Sequence, residues 1–458
     1  MERTRIIDLN HWFSSKKRKP LVLRGARQVG KSTLVRIFAE SKGLHLAEIN
    51  LEVNQQLNSV FKTLDMKEIV RSLESHFEIR LHSKTLIFLD EIQACPYALP
   101  ALRYFYEQYP EWPIVAAGSL LEFTLANHEF SMPVGRIKYL HIGPMTFKEY
   151  LKACSPFLKN ELDNWTLEKP LALATHQKLE EHQREYLLLG GMPEVIDTFL
   201  QTKSMIEAQE IQRGICETYM DDFSKYAKSR DLAEMQVLFK TLPAQVGNKI
   251  KYVNLLPEAP SAHTKGLLLL LERAKIIHSI TRSHGNGVPL GAEANPKFRK
   301  PLFLDVGLLS YILGLTWNDT HTAKGQRLVN EGALAEQYVG QHLVEVFQNF
   351  DGLHYWARES KKSNAEIDYL VSCGQHVIPI EVKAAKAGSL KSLHQFMHEK
   401  NRRLAVRFDQ NPASLHKVQT SISDGKRDVE VDYNLLSLPF YAIEHANSIL
   451  EQLRFELP

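Results

Sequence analysis

Eight consecutive residues, Gly25-Ala26-Arg27-Gln28-Val29-Gly30-Lys31-Ser32, carry the spacing G-x-x-x-x-G-K-[ST]. Each position has a chemical task. Gly25 and Gly30 permit backbone angles and a close approach that a Cβ would block. The backbone N–H groups form an anion nest at a helix N-terminus. Lys31 would set its ammonium against the β- and γ-phosphates of a nucleotide, and Ser32 would ligate Mg²⁺, with Thr33 completing the stretch. Further on, Leu86-Ile87-Phe88-Leu89 runs into Asp90-Glu91. Asp90 would hold the metal through water, and Glu91 would orient or deprotonate the attacking water. A second acid set lies far down the chain. Asp368 stands in Glu366-Ile367-Asp368-Tyr369-Leu370, and Glu381-Val382-Lys383 ends the apolar run 377–380. Two acids on adjacent strands of a hairpin can converge on a divalent ion, and Lys383 shares a strand face with Glu381. Such an ion would polarise a scissile phosphate and acidify its bound water, with Lys383 orienting that water.

These residues need elements to position them. Leu21, Val22 and Leu23 precede the glycine loop, and Leu34, Val35, Ile37 and Phe38 follow it at helical spacing, which makes strand, loop, helix. From 21 to about 150, apolar runs at 44–50, 85–89, 114–117 and 137–141 alternate with amphipathic stretches such as 67–81 and 99–109. That alternation argues an α/β fold, a parallel sheet with helices on both faces. Ser119 ends one of these runs, and reads either as a sensor of the γ-phosphate or as an ordinary turn serine. Arg136 reads either as an arginine finger facing a neighbour's nucleotide or as a surface arginine in an ion pair. Residues 147–227 are helical in pattern, broken by Gly190-Gly191-Met192-Pro193. Helical runs at 232–242 and 262–274, a strand at 275–281, a turn at 284–287 and a strand at 301–304 outline a winged helix-turn-helix. Its second helix, opened by Ser261, would meet DNA or pack against protein. A helix at 332–347 and strands at 353–357, 367–371 and 377–382 close the pattern. Arg358, Lys361, Lys362 and Lys386 near the acids would hold phosphates or form a solvated face.

Composition narrows the class. The chain has 458 residues, 44% apolar and 24% charged, with a net charge of +3. Two or three globular domains are expected. The mild positive charge neither demands nor excludes nucleic acid. Four cysteines without C-x-x-C spacing point to free thiols and a reducing compartment rather than zinc. The leucine run 267–271 is cut by Glu272 and Arg273, far short of a membrane span. Residues 1–5 lack the apolar core of a signal peptide. The expected location is cytoplasmic.

Several stretches together resemble a known family. These are 23–32, Leu89-Asp90-Glu91-Ile92-Gln93, Gly118-Ser119, Gly135-Arg136, 144–150, 186–194 and Phe303-Leu304-Asp305-Val306-Gly307-Leu308-Leu309. The chain resembles AAA-type P-loop ATPases of the ASCE class fused to DUF4143, a C-terminal domain of unknown function. The resemblance implies an ATPase core at 1–150, a helical lid at 151–228, a winged helix at 229–320 and, at 321–458, a nuclease-like domain of the PD-(D/E)xK type. It implies ATP and Mg²⁺. Within the nuclease pattern, Glu336 on the helix before the hairpin matches an additional metal-binding acid beside Asp368 and Glu381. The expected function is ATP hydrolysis coupled to an action on nucleic acid, DNA favoured, in a homo-oligomeric ring if Arg136 acts in trans. The rivals are a nucleotide-gated switch that binds DNA or protein without cleaving, and an ATP-regulated defence or toxin-like nuclease.

Overall fold

The computed structural model describes residues 1–123, 135–315, 331–347, 352–358, 365–384, 389–423 and 428–453. Lys361, Lys362 and Lys386 lie outside the described residues. The chain forms two compact units, Met1–Met145 with Leu269–Ile276, and Thr146–Leu268 with Ile277–Pro458.

In the first unit, β1 (Leu21–Arg24), β2 (His45–Asn50), β3 (Thr85–Asp90), β4 (Ile114–Gly118) and β5 (Lys138–His141) make a wholly parallel sheet in the order β2-β3-β4-β1-β5. Strands β3 and β4 are buried along their whole length, so they read as unbroken apolar runs rather than alternating ones. The helices Lys31–Ser41, Met66–Phe77 and Ala98–Gln108 cross between strands. Asp65 caps the second of these by accepting from the Lys67 N–H at 2.9 Å. Ile69, Leu73, Leu102 and Phe105 pack with Ile49, Ile87 and Ala116 of the sheet. Truncating a buried phenylalanine such as Phe105 to alanine costs about 3–5 kcal/mol. Because every strand runs the same way, Arg24, Asp90, Gly118 and His141 end at one edge of the sheet. The chemistry-bearing loops all leave from that edge.

In the second unit, eight strands form one mixed sheet. They are β6 (Ile277–Ser283), β7 (Ala294–Phe303), β8 (His354–Ala357), β9 (Glu366–Cys373), β10 (His376–Val382), β11 (Leu404–Asp409), β12 (Ser414–Ser423) and β13 (Asp428–Pro439), ordered β12-β13-β11-β10-β9-β8-β6-β7. β8, β9 and β10 run antiparallel in turn, and β11 adds parallel to β10. The helix Glu331–Phe347 precedes β8, and Lys391–Lys400 joins β10 to β11. The helices Leu232–Thr241 and Ser261–Arg273 precede the β6–β7 hairpin, and β6 pairs in parallel with β8 through Thr281↔His354 and Arg282↔Tyr355. The β6–β7 hairpin follows two helices, as the pattern predicts, and forms the margin of the sheet that carries Asp368 and Glu381. β7 begins at Ala294, well before the apolar run at 301–304; Pro296, Lys297 and Arg299 break the apolar alternation, so its exposed first half carries no strand signal in the sequence.

Two of the recognised motifs turn out to be one clamp. The Asp305 carboxylate, fully buried, accepts from Gly307 N at 2.9 Å, Leu308 N at 3.0 Å and Gly191 N at 2.7 Å. A Cβ on Gly190 would fall 2.0 Å from Asp305 Oδ1, and one on Gly307 would fall 2.2 Å from the Leu189 carbonyl oxygen. Gln337 then brackets β7, accepting from Phe303 N at 2.8 Å and donating to Phe303 O at 2.7 Å. Among the described residues, no helix is long and apolar enough to cross a membrane.

Candidate functional site

Gly25 has φ 150°, and a Cβ there would stand 2.0 Å from the Ile142 carbonyl oxygen, so the chain leaving β5 forbids any side chain at this turn. Gly30, at φ 86°, caps the helix that begins at Lys31. Gln28 holds a left-handed φ of 59°, a conformation that costs a non-glycine residue about 1 kcal/mol or more. Ala26 and Val29 anchor the loop in the core.

Lys31 is only 8% exposed. Its Nζ donates to the carbonyl oxygens of Ala26 at 2.7 Å and Gly25 at 3.1 Å. Burial presses its pKa down to about 8, against the upward pull of Glu91 and Asp90. The Ser32 hydroxyl donates to Asp90 Oδ2 at 2.7 Å, and the Glu91 N–H donates to Asp90 Oδ1 at 2.9 Å. Burial raises the pKa of Asp90, and these two hydrogen bonds oppose it. Glu91 sits at φ 50° and accepts from Gln93 Nε2 at 2.5 Å. Arg27, Gln28 and Thr33 are more open to solvent than Lys31. The Ser119 hydroxyl is buried without a hydrogen-bond partner, as is Gln93 Oε1. A Cβ on Gly118 would come 2.3 Å from that Gln93 oxygen, so Gln93 lies over Gly118, beside Ser119 in sequence, while holding Glu91. The sheet edge therefore collects Lys31, Ser32, Asp90, Glu91 and Ser119.

Arg136 is elsewhere. It precedes β5, whose start pairs with Leu21 at the opposite end of the sheet, and its Nε lies 3.3 Å from Glu107 Oε1. Arg3 was not singled out from sequence. It is 8% exposed and donates to Val29 O at 2.8 Å, Gly143 O at 2.7 Å and Pro144 O at 3.3 Å, bracing the phosphate loop from behind. No local pattern signals this, because the partners lie far from Arg3 in sequence.

The second unit gathers the other acid set. The β9–β10 register, Ile380↔Tyr369, sets Asp368 opposite Glu381. Asp368 Oδ2 accepts from Val382 N at 2.8 Å, and Lys383 Nζ lies 2.5 Å from Glu381 Oε1. Glu381 Oε2 is buried without a hydrogen-bond partner. Glu336 joins them from its helix, and burial followed by the charge of Asp368 pushes the pKa of both Glu336 and Glu381 well above the carboxylate range. Sequence reading missed Lys300 on β7. Its side chain is 2% exposed, with Nζ 2.5 Å from Glu366 Oε1 and 3.8 Å from Glu336 Oε2. Lys249 takes the other Glu366 oxygen at 2.7 Å. Burial lowers the pKa of Lys300, but Glu336, Asp368 and Glu366 outweigh it and raise it overall. The donor set suits a hard divalent ion, yet its arrangement does not. Among the described residues, the group of acids and histidines whose ligand atoms close to within 4.8 Å is Asp231, Glu234 and His263, not Glu336, Asp368 and Glu381. In that group His263 Nε2 is already hydrogen-bonded to Glu234 at 2.6 Å.

The geometry at the sheet edge agrees with the family comparison. Residues 17–151 match the AAA domain. That stretch is a P-loop ATPase domain. Residues 180–319 match a domain of unknown function, DUF8612, and residues 331–441 match another, DUF4143. No curated protein matches the chain. Among solved structures, the chain is similar to a Walker-type ATPase of Pyrococcus abyssi, at 16% identity and TM-score 0.43, covering 67% of this chain and 94% of that one. It is also similar to the ORC2 protein of Aeropyrum pernix, at 12% identity and TM-score 0.33, covering 67% and 90%. A third similarity is to a RuvB variant of Thermotoga maritima, at 15% identity and TM-score 0.27, covering 64% and 89%.

Proposed function

We propose that this protein binds and hydrolyses ATP with Mg²⁺ and couples the cycle to an action on nucleic acid. The observation that carries the first half is the convergence of Lys31, Ser32, Asp90 and Glu91 at one sheet edge, with Lys31 buried among neutral carbonyls. Bound Mg²⁺ would neutralise charge developing on the phosphate oxygens. The chain's own groups do the rest. Lys31 leaves the Gly25 and Ala26 carbonyls for the β- and γ-phosphates. Ser32 and Asp90, now bonded to each other, turn to the metal. Glu91 leaves Gln93 to orient water, and Ser119 senses the γ-phosphate. Arg136, at the far end of the sheet, serves a neighbouring copy's nucleotide in a ring, exchanging Glu107 for the phosphate charge. In the second unit, helix, three antiparallel strands, helix and a further parallel strand carry Asp368 opposite Glu381-Val382-Lys383, which supports a nuclease-like domain with DNA as the favoured partner.

The test is cleavage of a panel of DNA and RNA substrates with Mg²⁺ or Mn²⁺, with and without ATP, by wild type and by Asp368→Ala, beside phosphate release by each. ATP hydrolysis with cleavage lost in the variant supports the whole reading. ATP hydrolysis without cleavage of any substrate leaves the nucleotide-gated binding protein, which the pairing of Lys300 within the acids favours. Absence of ATP hydrolysis under all these conditions sinks the first half.

A further inference from the structure

We propose that Lys300 is the resident cation of the acid cluster, and that a divalent ion enters among Glu336, Asp368 and Glu381 only in exchange for it. The proposal rests on reading residues 331–441 as nuclease-like, and adds how that site is closed and opened.

Lys300 does not belong to the hairpin that carries the acids. It comes from β7, within the stretch 180–319, while the acids lie within 331–441. Its ammonium is nevertheless almost wholly removed from water, with Glu366 at 2.5 Å, Glu336 at 3.8 Å and the Tyr355 ring centroid at 5.1 Å. A charge so placed persists only because it is paired. Glu366 is paired from both sides, with Lys249 on that carboxylate's other oxygen at 2.7 Å. Lys300 also sets a positive charge 3.8 Å from Glu336, facing the acids of the hairpin.

Charge count favours an exchange. With the acids ionised, as ligation of an ion requires, Glu336, Glu366, Asp368 and Glu381 against Lys249, Lys300 and Lys383 leave one excess negative charge. A divalent ion added to that set would reverse it to one excess positive charge in a buried site. The same ion in place of Lys300 brings the count to zero. Position agrees with charge. A Cβ at Gly247 would lie 3.0 Å from both Glu336 oxygens, so Glu336 rests against bare backbone and has little room to retreat from Lys300. On the far side Glu381 Oε2 is buried without a hydrogen-bond partner, an acceptor that the three lysines do not fill.

The experiment is Mn²⁺ binding to the full-length, nucleotide-free chain, read by electron paramagnetic resonance. The chains compared are wild type, Lys300→Met, Asp368→Asn and the double variant. Subtracting the Asp368→Asn signal removes any Mn²⁺ held at the phosphate loop. The expected result is an Asp368-dependent site in Lys300→Met that binds Mn²⁺ at least tenfold more tightly than wild type does, and its loss in the double variant. An Asp368-dependent site of equal affinity in wild type and Lys300→Met overturns the proposal and leaves the nuclease-like reading standing. No Asp368-dependent site in either chain removes both. Lys300→Gln, which keeps a hydrogen-bond donor to Glu366, takes the place of Lys300→Met if circular dichroism shows that variant unfolded.

Discussion

Two buried lysines face opposite surroundings. Lys31 is held by two neutral carbonyl oxygens, and burial lowers its pKa to about 8. Lys300 is held by carboxylates, and its pKa is raised. The same side chain is hydrogen-bonded to neutral carbonyls, with Glu91 and Asp90 acting on it only through their charge, in one unit, and is ion-paired directly with carboxylates in the other. The first arrangement is poised for an anionic ligand. The second is closed, and any cation that enters it must displace a group the protein already provides. Burial of a lysine therefore says little about function until its partners are known.

The contrast can be broken experimentally. Lys31→Ala should reduce ATP turnover by about 10³-fold, the scale for removing a group that stabilises developing phosphate charge, while the nucleotide-free chain melts no lower than wild type. A large fall in its melting temperature would show that Lys31 is a structural charge like Lys300. Lys300→Met should instead lower stability by about 3–5 kcal/mol in urea unfolding, because it strands buried acids. A loss under about 1 kcal/mol, the scale of an exposed pair, would break the comparison from the other side. Arg3→Ala removes three hydrogen bonds to carbonyl oxygens around the loop. At about 1–2 kcal/mol it should weaken ATP binding roughly tenfold, with maximal turnover changed less; titration and steady-state kinetics on one preparation separate the two.

The smallest effect is on pH. Lys31 has a depressed pKa when folded, so between about 8 and the ordinary 10.5 the unfolded chain keeps a proton that the folded chain has lost. Its contribution to nucleotide-free stability should therefore rise with pH across that window. The raised carboxyls Glu336 and Glu381 act in the opposite sense. Above the ordinary value of 4.5 the folded chain holds protons that the unfolded one has released, and their contribution falls as pH rises. Melting curves of Lys31→Met and Glu336→Gln against wild type, taken across pH, should show slopes that differ in opposite directions. Nucleotide phosphates would restore the Lys31 ammonium, so ATP binding above about pH 8 should take up a proton. Calorimetry in buffers of different ionisation enthalpy measures that uptake directly.

What the sequence disclosed followed from proximity along the chain. Gly25 to Ser32 is one turn, apolar runs lead into Asp90, Ser119 and Glu381, and one follows Asp368, so both residue and element were visible. Lys300 and Arg3 were not visible because each has its meaning in partners that only the fold brings near, and Gln93 was legible as part of a motif but not in its place over Gly118. The β12–β13 hairpin left no apolar signature either: Lys417, Gln419, Ser421, Glu430 and Asp432 line its paired strands at a sheet margin, where polar side chains are tolerated. Arg136 was legible as a residue but not as a place. Its type suggested phosphate chemistry, and the topology put it at the end of the sheet away from its own phosphate loop.

The Asp305 clamp bears on how such sequences are compared. Gly190 and Asp305 stand more than a hundred residues apart, yet a methyl group on one would overlap a carboxylate oxygen of the other. They are one constraint written in two places. Counting the glycine pair and the aspartate as separate signs of kinship gives the same physical fact double weight, and shortening residue 305 alone would not free Gly190, whose φ is 71° and whose Cβ would also fall 2.7 Å from Gly307 N.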